Sequence, residues 1–391
     1  MEREKMKIAK TLLECLEMIE DPRASYNRKH HFMDIMTIAI LSVISGADTW
    51  DDMEDWGIAK KEWLETFLEL PNGIPSHDTF NRVFSLINPE QFHEAFIEWV
   101  KSITGKIEGV VAVDGKTVRR SRDMSGGKHA IHVVSAWACE NRVVLGQYKV
   151  DEKSNEITAI PELLKQLEIK GCIVTIDAMG TQTKIAETIV KCEADYILPV
   201  KENQQQLFED ISLYFQEEIL TKSKRELEED GCYYKEYSGE HGRIEEREYY
   251  VVHDIEWLEQ KKKWKNLNGI GMCRAKVEKN GEVTESCSYA IFSRKKMTAK
   301  EFGKGKRSHW GIENSLHWVL DIAYREDESR ARNGYSAENL NILRQLTLNM
   351  LKQEKSSKRG IAGKRKNCGW DNAYLLKVLN TVGVKNQELE K

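Results

Sequence analysis

The sequence predicts a mixed α/β protein with a helical N-terminal domain and a strand-rich insertion, on three observations. Residues 8 to 103 carry apolar stretches such as IMTIAILSVISGA, WLETFLEL and FHEAFIEWV, with no strand-type alternation between them. From Gly109 the pattern changes to short apolar runs, GVVAVDG, HAIHVVSAWA and RVVLGQYKV, then a helical TAIPELLKQL and a further run CIVTIDA. That is the order of a mixed sheet with a crossover helix. Between 221 and 295 short β-like pieces recur, CYYKEY, EREYYVV, GIGMCRAKV and SCSYAIF.

Composition bounds these elements. A chain of 391 residues has room for two or three units of roughly 150 residues each. Apolar residues at 40%, charged residues at 31% and only six prolines fit a soluble globular protein and exclude collagen-like or wholly disordered chains. The longest apolar run, Ile35 to Ala47, lies between Asp34 and Asp48 and is too short to cross a bilayer. The N-terminal MEREKMKIAK lacks an apolar signal core, so the expectation is a cytoplasmic protein without a membrane partner. Eight cysteines with no C-x-x-C pair read as reduced, mostly buried thiols rather than a zinc site.

The formal charge of −4 argues against a uniformly basic nucleic-acid coat, but charge is clustered. Asp48 to Glu69 carries eight acids against two lysines, whereas Lys116 to Lys128 has five bases against one acid, Arg294 to Arg307 seven against one, and Lys355 to Lys366 six against none. A polyanion would meet these patches; solvated loops are the plainer account of each alone.

In the helical region, PNGIPSHDTFNRVFSLI sets turn residues and a Ser or Asp cap before Phe80, Val83, Phe84 and Ile87 at helical spacing. This has the form of the second helix of a helix-turn-helix, exposing His77, Asn81 and Arg82, although many short helix pairs share that form without touching DNA. Past the CIVTIDA strand, KIAETIVKC predicts a helix, ADYILPVK a fifth strand and NQQQLFEDISLYFQEEIL another helix. Beyond the insertion, helices are predicted from about Lys306 and from Ser336 to Lys352, and the basic, glycine-spotted chain from Glu354 reads as a mobile tail.

Two of the strands end alike: VVAVDG delivers Asp114 and IVTIDA delivers Asp177, each acid beside a small residue. Adjacent strands lie about 4.8 Å apart, so on neighbouring parallel strands these carboxylates could share a metal ion. The alternative is that each acid merely opens a turn or caps a helix. The third acid lies in HWGIENSLHWVLDIAYREDESRAR. At about 100° per residue, Leu316, Val319, Leu320 and Ala323 gather in one arc with Ile312, and Glu313 falls on its margin. His309, Glu313 and His317 follow at i, i+4 and i+8, whereas the zinc-protease helix needs two histidines four apart. Trp310 and Trp318 lie on the outer side, where they could stack on a displaced base or pack against another domain, the latter favoured for Trp318. Three hard carboxylates suit Mg²⁺ or Mn²⁺, and a pair of such ions serves in-line phosphodiester displacement. Lys116, Arg119 and Arg120 after Asp114, and Lys304, Lys306 and Arg307 before Glu313, would hold backbone phosphates.

The set of segments DPR at 21 to 23, LPNGIPSHDTFNRVF at 70 to 84, VAVDGKTVRRS at 111 to 121, TIDAMGTQ at 175 to 182, LPVKENQ at 198 to 204 and HWGIENSLHWVLDIAYRED at 309 to 327 resembles the DDE transposases of bacterial insertion sequences, in their H-repeat-associated group. The resemblance runs from about Leu16 to Leu351. It implies an RNase H-like core at 106–220 and 296–352, an insertion at 221–295, a helical N-terminal domain at 1–105 that could bind DNA, and a basic C-terminal tail at 353–391. Asp114, Asp177 and Glu313 match the family's acidic triad, expected to hold two Mg²⁺ or Mn²⁺ ions. Lys201, Asn203, Gln204, Arg307, His309, Trp310, Asn314 and His317 join Lys116, Arg119 and Arg120 as candidate DNA contacts. Broader relatives carry Tyr, Arg and Lys around the glutamate; here Lys306, His309 and Leu320 stand in those places, and His309, with His317, is the candidate replacement. The implied function is cleavage at terminal inverted repeats and strand transfer into target DNA, by a homodimer or larger synaptic complex. A metal-dependent nuclease without strand transfer and an inactive DNA-binding relic are the alternatives.

Overall fold

A computed structural model describes residues 12–122, 129–150, 156–240 and 243–381. Most of the second half of the basic run at 116–128, and the chain beyond 381, lie outside the described residues.

The N-terminal part is helical, as expected: α1 Phe32–Ile44, α2 Trp50–Ala59, α3 Lys61–Leu64, α4 His77–Leu86 and α5 Pro89–Thr104. The apolar run from Ile35 fills α1, which is buried almost all round. It is therefore a central core helix. Among the described residues no helix is long and apolar enough to cross a membrane. The acidic α2 packs beside α4, and Glu54 accepts hydrogen bonds from the His77 backbone N–H (2.7 Å) and pairs with its Nδ1 (2.6 Å). The exposed side of α4 thus has carboxylates for neighbours.

The sheet follows: β1 Val110–Thr117, β2 His132–Ala138, β3 Val143–Val150, helix α6 Glu156–Lys165, β4 Ile173–Thr175, helix α7 Thr183–Lys191 and β5 Asp195–Val200. After α8 Gln205–Tyr214 and α9 Lys224–Glu229 come β6 Tyr233–Glu240, β7 Arg243–Val252, β8 Gly269–Lys279 and β9 Glu282–Phe292. All nine strands form one sheet in the order β3-β2-β1-β4-β5-β9-β8-β7-β6. β1 is parallel to β4 and β4 to β5, while β2 and β3 pair antiparallel. This mixed, helix-covered five-strand unit is RNase H-like. The strand-rich segment continues the same sheet, because β9 pairs antiparallel with β5 through Ile197↔Phe292 to Val200↔Tyr289. Every residue of β2 is buried, the signature of strands covered on both faces.

The helix expected from about Lys306 starts earlier. Its first segment, α10 Ala299–Ser308, opens on a capping box in which the Thr298 hydroxyl accepts from the Glu301 N–H and Glu301 accepts from the Thr298 N–H. It continues through α11 Trp310–Ile312, a π-helical turn at Glu313–His317, and α12 Trp318–Ala323. The long α13 Ser336–Gln353 then runs alongside the edge strand β3, from Glu338 against Lys149 to Asn349 against Val144. Asn349 on it accepts from the Val144 N–H (2.8 Å) and donates to the Val144 carbonyl (2.9 Å).

The segment after Glu354 departs from the expectation of a mobile tail, since residues 361–381 form α14 Ile361–Trp370 and α15 Asn372–Thr381. Two of the run's bases are buried. Lys364 donates to the Leu351 carbonyl (3.0 Å), and Arg365 donates to the Val43 and Ala47 carbonyls and to Asp48 (2.9 Å). Charge counting along the sequence could not separate such internal donors from solvated ones.

Candidate active site

β1 and β4 are in parallel register with Val110↔Ile173 and Ala112↔Thr175. Continued by two residues, that register sets Asp114 level with Asp177, where the chain leaves β4. Gly115, next to Asp114, must be small: a Cβ there would lie 2.5 Å from His132 Nε2 and 2.6 Å from Glu156 Oε1. Those two side chains are buried beneath β1 within 2.6 Å of each other, and Thr117 Oγ1 lies 2.8 Å from His132 Nδ1. Asp177 Oδ1 accepts the Gly180 N–H at 2.8 Å, which ties the carboxylate to its loop.

The third acid arrives on the helical segment. Ile312, Leu316 and Leu320 are buried, and the wide turn at Glu313–His317 brings Glu313 and His317 onto the strand ends. Such π-turns recur at functional sites. The Glu313 side chain is 67% exposed, further out than the margin of the buried face that regular helical spacing gives. His317 is buried, with Nδ1 3.5 Å from Asp114 Oδ2 and 3.4 Å from Glu313 Oε2. Among the described residues, Asp114, Glu313 and His317 offer ligand atoms all within 4.8 Å of one another. Sequence reasoning assigned His317 to DNA; its junction between two of the acids had no signal beyond the i, i+4 spacing.

The electrostatics suit a cation. Burial first, then the neighbouring carboxylates of Asp177, Glu156 and Glu313, push Asp114 up to about 7, against the Gly115 N–H. Burial and the Lys116 ammonium hold His317 below its usual value, against Glu313 and Glu326. Its Nε2 is buried without a hydrogen-bond partner. A metal-binding carboxylate site that lacks compensating positive charge behaves this way, so the donor set fits a divalent ion. The sign of the pH effect follows. The fold favours protonated Asp114, so the metal-free protein should lose stability as pH rises from about 4 to about 7. Mn²⁺ should raise the melting temperature more at pH of about 7.5 than at about 5.5, because proton and ion compete for the carboxylates. An equal Mn²⁺ shift at both pH values would contradict the assignment.

The other predicted residues divide. Lys116 is turned inward, bonded to Asp321 and to Glu326 Oε2 at 2.8 Å. Asn203 and Gln204 donate to the Ala178 (2.8 Å) and Thr181 (3.0 Å) carbonyls, bracing the loop after Asp177. His309 Nδ1 lies 3.3 Å from Thr175 Oγ1 beside Asp177. Arg119 and Arg307 are paired with Asp327 (3.3 Å) and Glu236 (3.0 Å). Lys201, Arg120 and Asn314 are exposed. Trp310 is 62% and Trp318 59% exposed, which corrects the preference for Trp318 as a core residue: the buried arc is filled by Ile312, Leu316 and Leu320. Glu326, wholly buried beside Lys116, was missed.

The model described as "Transposase DDE domain" matches residues 105–350, and the one described as "DDE_Tnp_1-associated" matches residues 13–100. The chain belongs to the DDE transposase family. "H repeat-associated putative transposase YhhI" of Escherichia coli strain K12 is 39% identical over 96% of this chain and 99% of its own length. "Putative transposase YncI" of E. coli O157:H7 is 40% identical over 94% of each. "H repeat-associated putative transposase YbfD" of strain K12 is 43% identical over 63% of this chain and 95% of its own length. The matched segment contains Asp114 on β1, Asp177 just past β4 and Glu313 in the π-helical turn.

Proposed function

We propose that this DDE-family chain cleaves phosphodiesters at the ends of an insertion sequence and joins the freed 3′ hydroxyl to target DNA. The observation that carries this reading is the approach of Asp114, Glu313 and His317 to within 4.8 Å of one another, with Asp177 level with Asp114 across parallel strands. In this reading Asp114, Asp177 and Glu313 hold the divalent ions, Mg²⁺ or Mn²⁺. Ions bound there would activate the attacking oxygen and offset charge on the leaving oxygen.

The protein's own groups orient and hold. The Gly115 and Gly180 N–H groups steady the two strand-end acids. His317 lies between Asp114 and Glu313 through its Nδ1, and His309 supports the Asp177 side. Lys201, Arg120 and Arg307 hold backbone phosphates, and the exposed indoles of Trp310 and Trp318 offer stacking faces for bases. Residues 106–220 and 296–352 act as the catalytic core, 221–295 as its insertion, and 1–105 as a helical domain that contributes to end recognition. Joining two ends calls for a dimer or larger synaptic complex. The chemistry needs no covalent intermediate, and the site accordingly presents acids in place of a serine or tyrosine nucleophile.

The test supplies Mg²⁺, labelled duplexes made from the DNA on either side of the coding region, and a second duplex as target. Cleaved ends covalently joined to the second duplex are expected; cleavage without joining would leave only a nuclease. Replacing His309 by alanine is expected to slow cleavage roughly tenfold or more, within the range of a lost positioning group. An unchanged rate would remove His309 from the site.

A further inference from the structure

Beside the carboxylates lies a second charged surface whose cations outnumber the carboxylates paired with them. Arg243, Glu245, Arg247 and Tyr249 occupy alternate positions of β7 and so share one face. Across from them stand Lys306, Arg307, Trp310 and Asn314, and the space between is a cavity of about 720 Å³. Along the helical segment its lining includes Asn314, next to Glu313, and Gly311, two residues before it.

The cavity is built for an anion. Arg243 and Lys279, both lining it, are direct cross-strand partners, a like-charge pair that is unfavourable alone. Arg243 and Arg247 share the single carboxylate of Glu245. The Arg247 Nη1 is buried with no hydrogen-bond partner. Arg307 reaches Glu236, whose Oε1 also accepts the Tyr249 hydroxyl at 2.8 Å. Lys306 makes no ion pair or hydrogen bond among the described residues. Its charged neighbour is another cation, Lys201, and burial keeps the adjacent Cys273 a neutral thiol. Five cations thus face two carboxylates. Buried donors without acceptors are costly unless a ligand completes them. The size suits a group of mononucleotide scale rather than a duplex.

We propose that this chamber binds a backbone phosphate of the DNA strand engaged at Asp114, Asp177 and Glu313, with Lys306 and Arg247 as its direct donors. The assignment rests on the DNA-cleavage reading above and adds to its phosphate contacts a defined chamber on the β7 side of Glu313. A phosphate offers several acceptor oxygens to converging donors, matching the orphaned Nη1 and the unpaired ammonium. The DNA path would then run from the carboxylates along Asn314 and Trp310 into the face of β7.

The test is a salt titration of DNA binding by the full-length protein without divalent ions, using a fluorescent mixed-sequence oligonucleotide as single strand and as duplex. Lys306→Met and Arg247→Gln should each weaken single-strand binding about tenfold and lower the slope of log affinity against log salt by about 0.7. The melting temperature of Lys306→Met should equal or exceed that of the parent. Lys191→Met, which removes a charge paired with Glu187 at 2.8 Å on α7, should leave affinity and slope unchanged. Parental affinity and slope in both chamber variants would overturn the proposal and leave the cleavage reading standing. So would binding of adenosine monophosphate or inorganic phosphate that the variants lose while DNA binding persists, since the chamber would then be a small-anion site. A parent that binds no DNA would remove both.

Discussion

Alanine at Asp114, Asp177 or Glu313 is expected to reduce DNA cleavage by about a thousandfold or more, corresponding to roughly 4 kcal/mol of transition-state stabilisation. Binding to the same DNA should stay close to parental, because the candidate phosphate donors lie on other residues. The three losses should not add in double variants, since the acids act as one unit. The measurement is a nicking assay on purified variants with matched melting profiles. Retained nicking in any single variant would remove that acid from the triad.

The second large effect concerns the ion cluster behind the site. Glu326 is wholly buried, bonded to Lys116 Nζ at 2.8 Å and to Asn341 Nδ2 at 2.7 Å, with Arg344 at 3.8 Å. Burial alone would push its carboxyl up, but Lys116 and Arg344 outweigh that and hold it below its usual value. The cluster joins β1, two residues past Asp114, to the end of the Glu313 segment and to α13. Glu326→Ala should cost about 3–5 kcal/mol, because buried Arg344 loses its ion-pair partner and Lys116 is left with Asp321 alone. Combining it with Lys116→Met should recover part of that loss, as removal of both partners leaves fewer unpaired charges. Denaturant unfolding of both variants measures this; a loss below about 1 kcal/mol for Glu326→Ala would contradict the network.

Much of the fold was legible because local pattern and tertiary context agree. The apolar runs at β1, β2 and β4 read as strands of buried type, and the register of β1 on β4, continued by two residues, sets Asp114 level with Asp177. The early start of the α10 segment was also written in the sequence, as the Thr298 to Glu301 capping spacing. Other features were hidden for physical reasons. A lysine two residues past the candidate acid Asp114 looks alike whether it meets phosphate or, as Lys116 does, an acid more than two hundred residues away. Likewise Arg365 sits in a run of bases whose inward or outward direction depends on α1, at the other end of the chain. The exposure of Glu313 follows from a π-turn, which a regular 3.6-residue period does not contain.

The most direct test of the central claim is a calorimetric titration of the full-length protein with Mn²⁺, repeated on Asp114→Asn, Asp177→Asn and Glu313→Gln. The account predicts saturable binding by the parent and at least about tenfold weaker binding in each variant, the loss typical of removing one ligand or its support. Asp177→Asn is the decisive member, since its position is inferred from strand register. Parental Mn²⁺ affinity in that variant would contradict a site shared by all three carboxylates.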